Sequence, residues 1–456
     1  MAVIVKSFVC LCVLLGVGHL LRMHVRLLRK LYLPSCVIAG LLGLAAIQIA
    51  KAMGHPIPAD WTAGWHRLPS FLINIVFACL FLGVPLPRLS TLWRRAGPQL
   101  AYGQVVAWGQ YVVGIGLVLV LLGPLFGVGP MFGGIVPVGF EGGHGTAAGM
   151  GPVFAEHDWE EGKDYGQASA TAGIIFAVVV GMVLINWAAR RGYTVRRQDV
   201  ENVPEDDTIG VFAVGSRPSA GKLTVSADAI ESFTLHVVVV GVAVLIGFGI
   251  KQGLLAVGSA SGSQTVGRIM RSFPLFPLCM IGGLVVQLFE ERFDRHRLID
   301  PGLTRRIQNT SLDFLVVAAI ALIRVDVLTA GLVPFAVIIV AAIAWNVFCV
   351  TVLARRMLPD AWFERSIAEM GQSMGVTATG LLLLRVVDPD YESPAVDAFA
   401  SKQLLHEPFM GGGLWTSTAI PLLATVGSLP VFLIACGAVA FWIVLTFATG
   451  LNRKTA

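Results

Sequence analysis

The sequence predicts an all-α polytopic membrane protein: two inverted repeats of five transmembrane helices, each with a re-entrant hairpin, and one extra C-terminal span. Three observations lead there. The chain is 55% hydrophobic and only 13% charged, with a mean hydropathy of +0.76, whereas soluble globular chains carry about 25% charged residues. Apolar runs near the roughly 20 residues that a helix needs to cross the hydrocarbon core recur from end to end. Two Gly-rich runs, 141–152 and 371–380, occupy matching places in the two halves. Broken backbone at membrane depth is tolerated only where it is buried in protein or lines a cavity.

In chain order, spans are expected near 3–21, 32–52, 69–86, 98–123 and 166–189, then near 232–256, 273–289, 310–328, 332–353, 396–425 and 431–449. The first lacks the basic start and small-residue cleavage site of a signal peptide and reads as a transmembrane helix. Segments 130–155 and 364–386 are poor as full spans and read as hairpins. The polar stretch 191–230 reads as a cytoplasmic linker. It divides a first repeat, 1–190, from a second, 231–425, with 426–456 as the extra helix and tail. The seven cysteines lie in or beside apolar spans, and Cys10 and Cys12 form C-x-C with no paired cluster elsewhere. Small membrane-buried side chains are the expected reading, with no metal site or disulfide.

Loop charge orients the chain. With both Gly-rich runs re-entering, the loops on one side hold 23 Lys and Arg, including Arg22, Arg26, Arg88, Arg190, Arg191, Arg292 and Arg355, against about seven opposite. The positive side faces the cytoplasm, which puts the N-terminus outside and the C-terminus inside. If either run crossed fully, the bias would vanish. The basic residues are therefore topology determinants, and nucleic acid is not expected as a partner. The hairpins then enter from opposite faces.

Gly-rich hairpin tips leave backbone N–H and C=O groups free to serve as ligands. Helix N-termini suit a carboxylate, and carbonyl and hydroxyl oxygens suit a hard cation such as Na⁺. The candidates at the first tip are Gly142, Gly143, His144, Gly145 and Thr146; at the second they are Gly375, Thr377 and Thr379. His144 would titrate, hold a substrate carboxylate, or be a satisfied polar side chain. Ionisable residues inside spans are functional candidates. Lys402 and His406 share a helix face at i, i+4, with Glu407 adjacent; they read either as an ion pair fixing a helix or as a charged cavity lining. Glu141 and Asp313 are candidates for cation or proton coupling, and Ser169 and Thr171 complete the second tier. Arg324 and Lys6 are expected to snorkel to an interface.

At these motifs the chain resembles the bacterial sodium/glutamate symporter family. Gly142, Gly143, His144, Gly145 and Thr146 spell that family's first-hairpin signature, and 371–380 is similar to its second hairpin. Thr310, Ser311, Leu312, Asp313, Phe314 and Leu315 look like its central helix. The resemblance covers roughly 1–425. It implies a homodimer, opposed re-entrant loops in inverted repeats, and a transport domain moving against a scaffold in the bacterial inner membrane. It also implies that the Na⁺ gradient drives L-glutamate import. Ala378 stands where the family places a proline. Glu141, Asp313, Lys402 and Glu407 put charges where the family is small or apolar, so Lys402 offers a fixed substitute for a bound cation and Glu407 or His406 a proton carrier.

The expected function is thus sodium-coupled symport of glutamate or a similar anionic amino acid by an elevator-like alternating-access carrier, with no cofactor beyond Na⁺ as coupling ion. The first rival is a proton- or sodium-coupled carrier of a di- or tricarboxylate. An intramembrane enzyme is opposed by the lack of H-E-x-x-H and G-x-S-x-G motifs, and a channel by the lack of a charged pore ring.

Overall fold

The computed structural model describes residues 2–30, 33–85, 89–194, 211–212, 215, 217–388 and 392–453. These residues form helices and connecting loops, with no β-strand among them. In the first half the main helices are α1 (Ala2–His24), α2 (Ser35–Ala52), α3 (Leu68–Ala78) and α4 (Leu89–Leu117). Four short pieces follow: a 3₁₀ turn, Pro130–Gly134, then α5 (Ile135–Gly139), α6 (Gly143–Gly149) and α7 (Gly151–Glu156). The half closes with the long α8 (Glu161–Arg191). In the second half lie α9 (Ser232–Ala260), α10 (Phe276–Phe293), α11 (Pro301–Ala321), α12 (Leu332–Phe348), α13 (Trp362–Met374), α14 (Thr377–Val387) and α15 (Ala395–His406). They are followed by α16 (Leu414–Val426) and α17 (Ser428–Ala448).

Local chemistry sets many of these bounds. Asp300 caps α11, accepting from the Leu303 amide at 2.9 Å, with Pro301 in the first turn; both features suit a helix start. Glu231 caps α9 through the Thr234 amide. Gly192, in the left-handed region, closes α8, as glycine commonly does. Two helices carry a π turn near the C-terminal end. Val118–Leu122 follows α4 and Cys349–Leu353 follows α12. In both halves this π-bulged helix immediately precedes the broken segment.

By length and composition, seven helices among the described residues can cross a membrane, or eight if Val266–Ser272 and Phe276–Phe293, bent by 71°, form one span. Eleven were expected, and the difference lies in broken or charged segments. Span 69–86 is the 11-residue α3, and 396–425 is split into α15 and α16 around the Gly411, Gly412 and Gly413 turn. Span 310–328 is the end of α11, whose earlier turns carry Arg305 and Arg306. Large apolar side chains such as Val120, Val183, Leu245 and Val444 are exposed; on a membrane protein they face lipid. Residues 195–210, 213–214 and 216 of the linker 191–230, together with Arg88, Leu31 and Tyr32, lie outside the described residues.

Two large buried clusters form the core. One joins α1–α3 with α6, α11 and α16; the other joins α5 and α8 with α12–α15. Between them runs the inner part of α4, buried along most of its length. Arg324 does not snorkel freely. It pairs with Asp164 at 2.8 Å, and its amide also donates to that carboxylate. Lys6 pairs with Asp60 at 2.6 Å.

Candidate functional site

Segment 130–156 breaks because glycine and proline interrupt it at every turn. Among the predicted residues, Gly143 alone has a positive φ, +68°, and it starts α6. The second segment is a helix–turn–helix in which α13 and α14 pack on one another across Gly375 and Val376. The two breaks meet: a Cβ at Gly143 would sit 3.6 Å from Val376 Cγ1 and 4.0 Å from the Gly375 carbonyl oxygen.

Around this junction, buried side chains from four parts of the chain form a polar network. Lys402 Nζ, on α15, donates to Glu369 Oε1 at 2.6 Å and to Gln372 Oε1 at 3.1 Å, both on α13. Lys402 and Glu369 are both fully buried. Gln99 Nε2, on α4, donates to Glu369 Oε2 at 2.9 Å. Gln372 Nε2 donates to Glu141 Oε2 at 3.0 Å, so the network reaches the turn before α6.

Donor logic assigns the His406 tautomer. The indole of Trp108 only donates, and it reaches Gln104 Oε1 at 3.0 Å. The amide nitrogen of Gln104 therefore faces His406 Nδ1, at 3.2 Å, and Nδ1 accepts. The proton sits on Nε2, which donates to Glu141 Oε2 at 3.2 Å. His406 is thereby held as the neutral imidazole. Of the charged groups in the network, two are carboxylates, Glu141 and Glu369, and one is a cation, Lys402. Glu141 Oε2 accepts two hydrogen bonds, while Glu141 Oε1 is buried with none among the described residues. Burying a carboxylate without compensating charge is costly. The arrangement is one positive charge short.

Other predicted residues distribute as follows. His144 Nε2 lies 3.0 Å from Thr171 Oγ1. Thr171 spends its hydroxyl proton on the Gln167 carbonyl at 3.0 Å, so His144 donates. Gln167 in turn donates to the His144 carbonyl at 2.8 Å, which ties α6 to α8. Of the three expected readings of His144, the geometry is that of the satisfied polar side chain. Thr377 Oγ1 accepts from Gln403 at 2.7 Å. Thr379 is buried beside Gly375, whose added Cβ would stand 3.0 Å from its Oγ1. A Cβ on Gly145 would meet Ile73 Cδ1 at 2.6 Å, and one on Gly142 would meet Thr146 Cβ at the same distance. Thr146 Oγ1 packs against Gly412. The Thr146 and Ser169 hydroxyls and the Gln403 amide oxygen are buried with no hydrogen-bond partner among the described residues.

The structure does not bring Asp313 to this cluster. It is exposed on α11 beside Cys36, while its neighbour Leu312 faces Gly145. Glu407 follows α15 but packs against Gly411 and is not among the hydrogen-bonded groups of the network. Sequence reasoning missed Glu369, Gln99, Gln104 and Gln403. A signal existed for the first, since a lysine inside an apolar span requires an anion and Glu369 lies in the segment already marked as broken. The glutamines leave no such signal, because a neutral amide is tolerated in many helix positions.

A multi-helix membrane bundle with a charged, oxygen-rich centre and broken helices has the build of a secondary transporter. The chain matches the sodium/glutamate symporter family over residues 2–392, and it belongs to that family. Comparison with curated proteins and with solved structures gives no match. The chain is a multi-pass membrane transporter and not an enzyme.

Proposed function

We propose that the protein imports L-glutamate or a similar anionic amino acid by Na⁺ symport, with Glu141 as a ligand of the coupling ion. The family match favours this ion and substrate. The observation that carries the site assignment is the buried, unpartnered Oε1 of Glu141. With His406 neutral and Lys402 engaged by Glu369, Glu141 has no cation of its own. A substrate carboxylate roughly 6 Å away would be repelled by about 3 kcal/mol at an effective dielectric constant near 20. Na⁺ on Oε1 removes that repulsion, so ion and substrate each strengthen the other's binding, as linkage requires. Backbone groups of Gly142, Gly143, Gly145 and Gly375, with the hydroxyls of Thr146, Thr377 and Thr379, complete the site, with Ser169 beside it. His144 and Thr171 hold the first tip to α8.

In this reading the broken segments are opposed re-entrant hairpins in inverted repeats, 1–190 and 231–425, joined by the linker 191–230, with the N-terminus outside. The π turn before each broken segment supports the repeat. Alternating access in a homodimer follows the family. Uptake into proteoliposomes tests the proposal. L-Glutamate entry should require an inward Na⁺ gradient, and Glu141→Gln should raise the half-saturating Na⁺ concentration about tenfold or more, within the usual coupling range. Uptake driven by a pH gradient in Na⁺-free buffer would replace Na⁺ with a proton. Unchanged Na⁺ dependence in Glu141→Gln would remove that residue from the site.

A further inference from the structure

One buried cation, Lys402, is not a ligand of the coupling ion in that reading. We propose that the Lys402 ammonium is a tethered monovalent cation, filling a cation site made by the Glu369 carboxylate and the Gln372 amide oxygen, so that this position takes no Na⁺ from solution. The ligand chemistry is that of a hard cation, carboxylate and amide oxygens at 2.6 and 3.1 Å from Nζ. Gln99 occupies Glu369 Oε2 and leaves Oε1 to face the cation. The site is shaped to the pair. A Cβ on Gly103 would lie 2.5 Å from Glu369 Oε1 and 2.7 Å from Lys402 Cε, so the bare backbone of α4 at this residue admits both.

Holding three helices together does not account for the pair, because apolar side chains of similar volume usually do that as well or better than a buried ion pair. Gln372 provides a further reason for it. The amide that accepts from Lys402 donates to Glu141 through its other end, so a charge at Lys402 is felt at the first tip through one side chain. Remove the ammonium, and Glu369 becomes a buried carboxylate with only an amide to face it. A cation from solution then has a ready ligand set.

The inference does not depend on the substrate's identity. It is tested on the purified full-length protein by melting temperature in NaCl against choline chloride at equal ionic strength. Lys402→Gln should gain a saturable Na⁺-dependent rise beyond that of the wild type, and the double variant Lys402→Gln with Glu369→Gln should lose that added rise. Recovery of folded Lys402→Gln in Na⁺ but not in choline would be the same result in a stronger form. The proposal is overturned if Lys402→Gln responds to Na⁺ as the wild type does, if the gain survives in the double variant, or if the variant folds in neither salt. A wild type with no Na⁺ response at all would count against Glu141 as an ion ligand and leave this comparison standing.

Discussion

Gly143 and Gly145 lie two residues apart in the signature run, yet they are constrained for different reasons. Gly143 sits at a φ of +68° with its nearest added-Cβ neighbour 3.6 Å away. Its constraint is backbone handedness, worth about 1–2 kcal/mol for a residue with a Cβ. At Gly145 the limit is the tip of one side chain, Ile73 Cδ1, which can give way more readily than backbone. Gly143→Ala should therefore lower the melting temperature clearly and Gly145→Ala much less. Equal losses in the two variants would show that crowding, not φ, governs the run. The sequence marked both glycines but could not rank them, since φ and neighbours are set by the packed backbone. His144 is similar. Its type and position left a titrating, a substrate-holding and a structural role open, and the packed geometry ties it to Thr171 and Gln167 across two helices.

Among the elements, the pair α13 and α14 holds the second tip. The two helices touch at glycines: a Cβ on Gly371 would stand 2.7 Å from Gly380 Cα, and one on Gly380 would overlap the Ala368 carbonyl oxygen. Backbone cannot swing aside as a side chain can, so the helices would have to separate. Gly380→Ala is expected to destabilise by about 1–3 kcal/mol, the usual range for overpacking, and to slow uptake because the turn at Gly375 moves with α14. Thermal unfolding and initial uptake rate check this together; a variant matching wild type in both would mean that the pair is not close-packed. At the start of the pair, Arg355 lies over Tyr193 at 4.2 Å and Trp362 at 4.7 Å. This cation–π stack joins the end of α8 to the start of α13. The sequence located the second broken segment at 364–386, close to the observed Trp362–Val387. The first was located at 130–155, beside the observed Pro130–Glu156, but its division into short pieces by repeated Gly and Pro left no helical period to register.

For the whole molecule, the distribution of Lys and Arg makes a testable statement about orientation. In a background with the native cysteines replaced, a cysteine at the exposed Lys222 should label only from the cytoplasmic side. One at the exposed Ala63 should label only from outside. Both labelling from the same side would abolish the proposed repeat plan, and a swapped pattern would invert it. The expected count of eleven spans exceeded the seven or eight long apolar helices because hydropathy averages over a window and does not register a break. Span 396–425 has the composition of one helix but contains Gly411, Gly412 and Gly413, which turn the chain between α15 and α16.

By itself the sequence determined membrane residence, helical class, family and the two Gly-rich segments that do not form full spans, because these follow from composition and from glycine, which act locally. The tertiary structure alone decided which buried charges face one another. Glu369 precedes Lys402 by 33 residues and Glu141 precedes His406 by 265. No local periodicity spans such distances. Their pairing arises only when α4, α13, α15 and the turn before α6 pack around a common centre, where low dielectric makes every unpaired charge costly and so selects the partners.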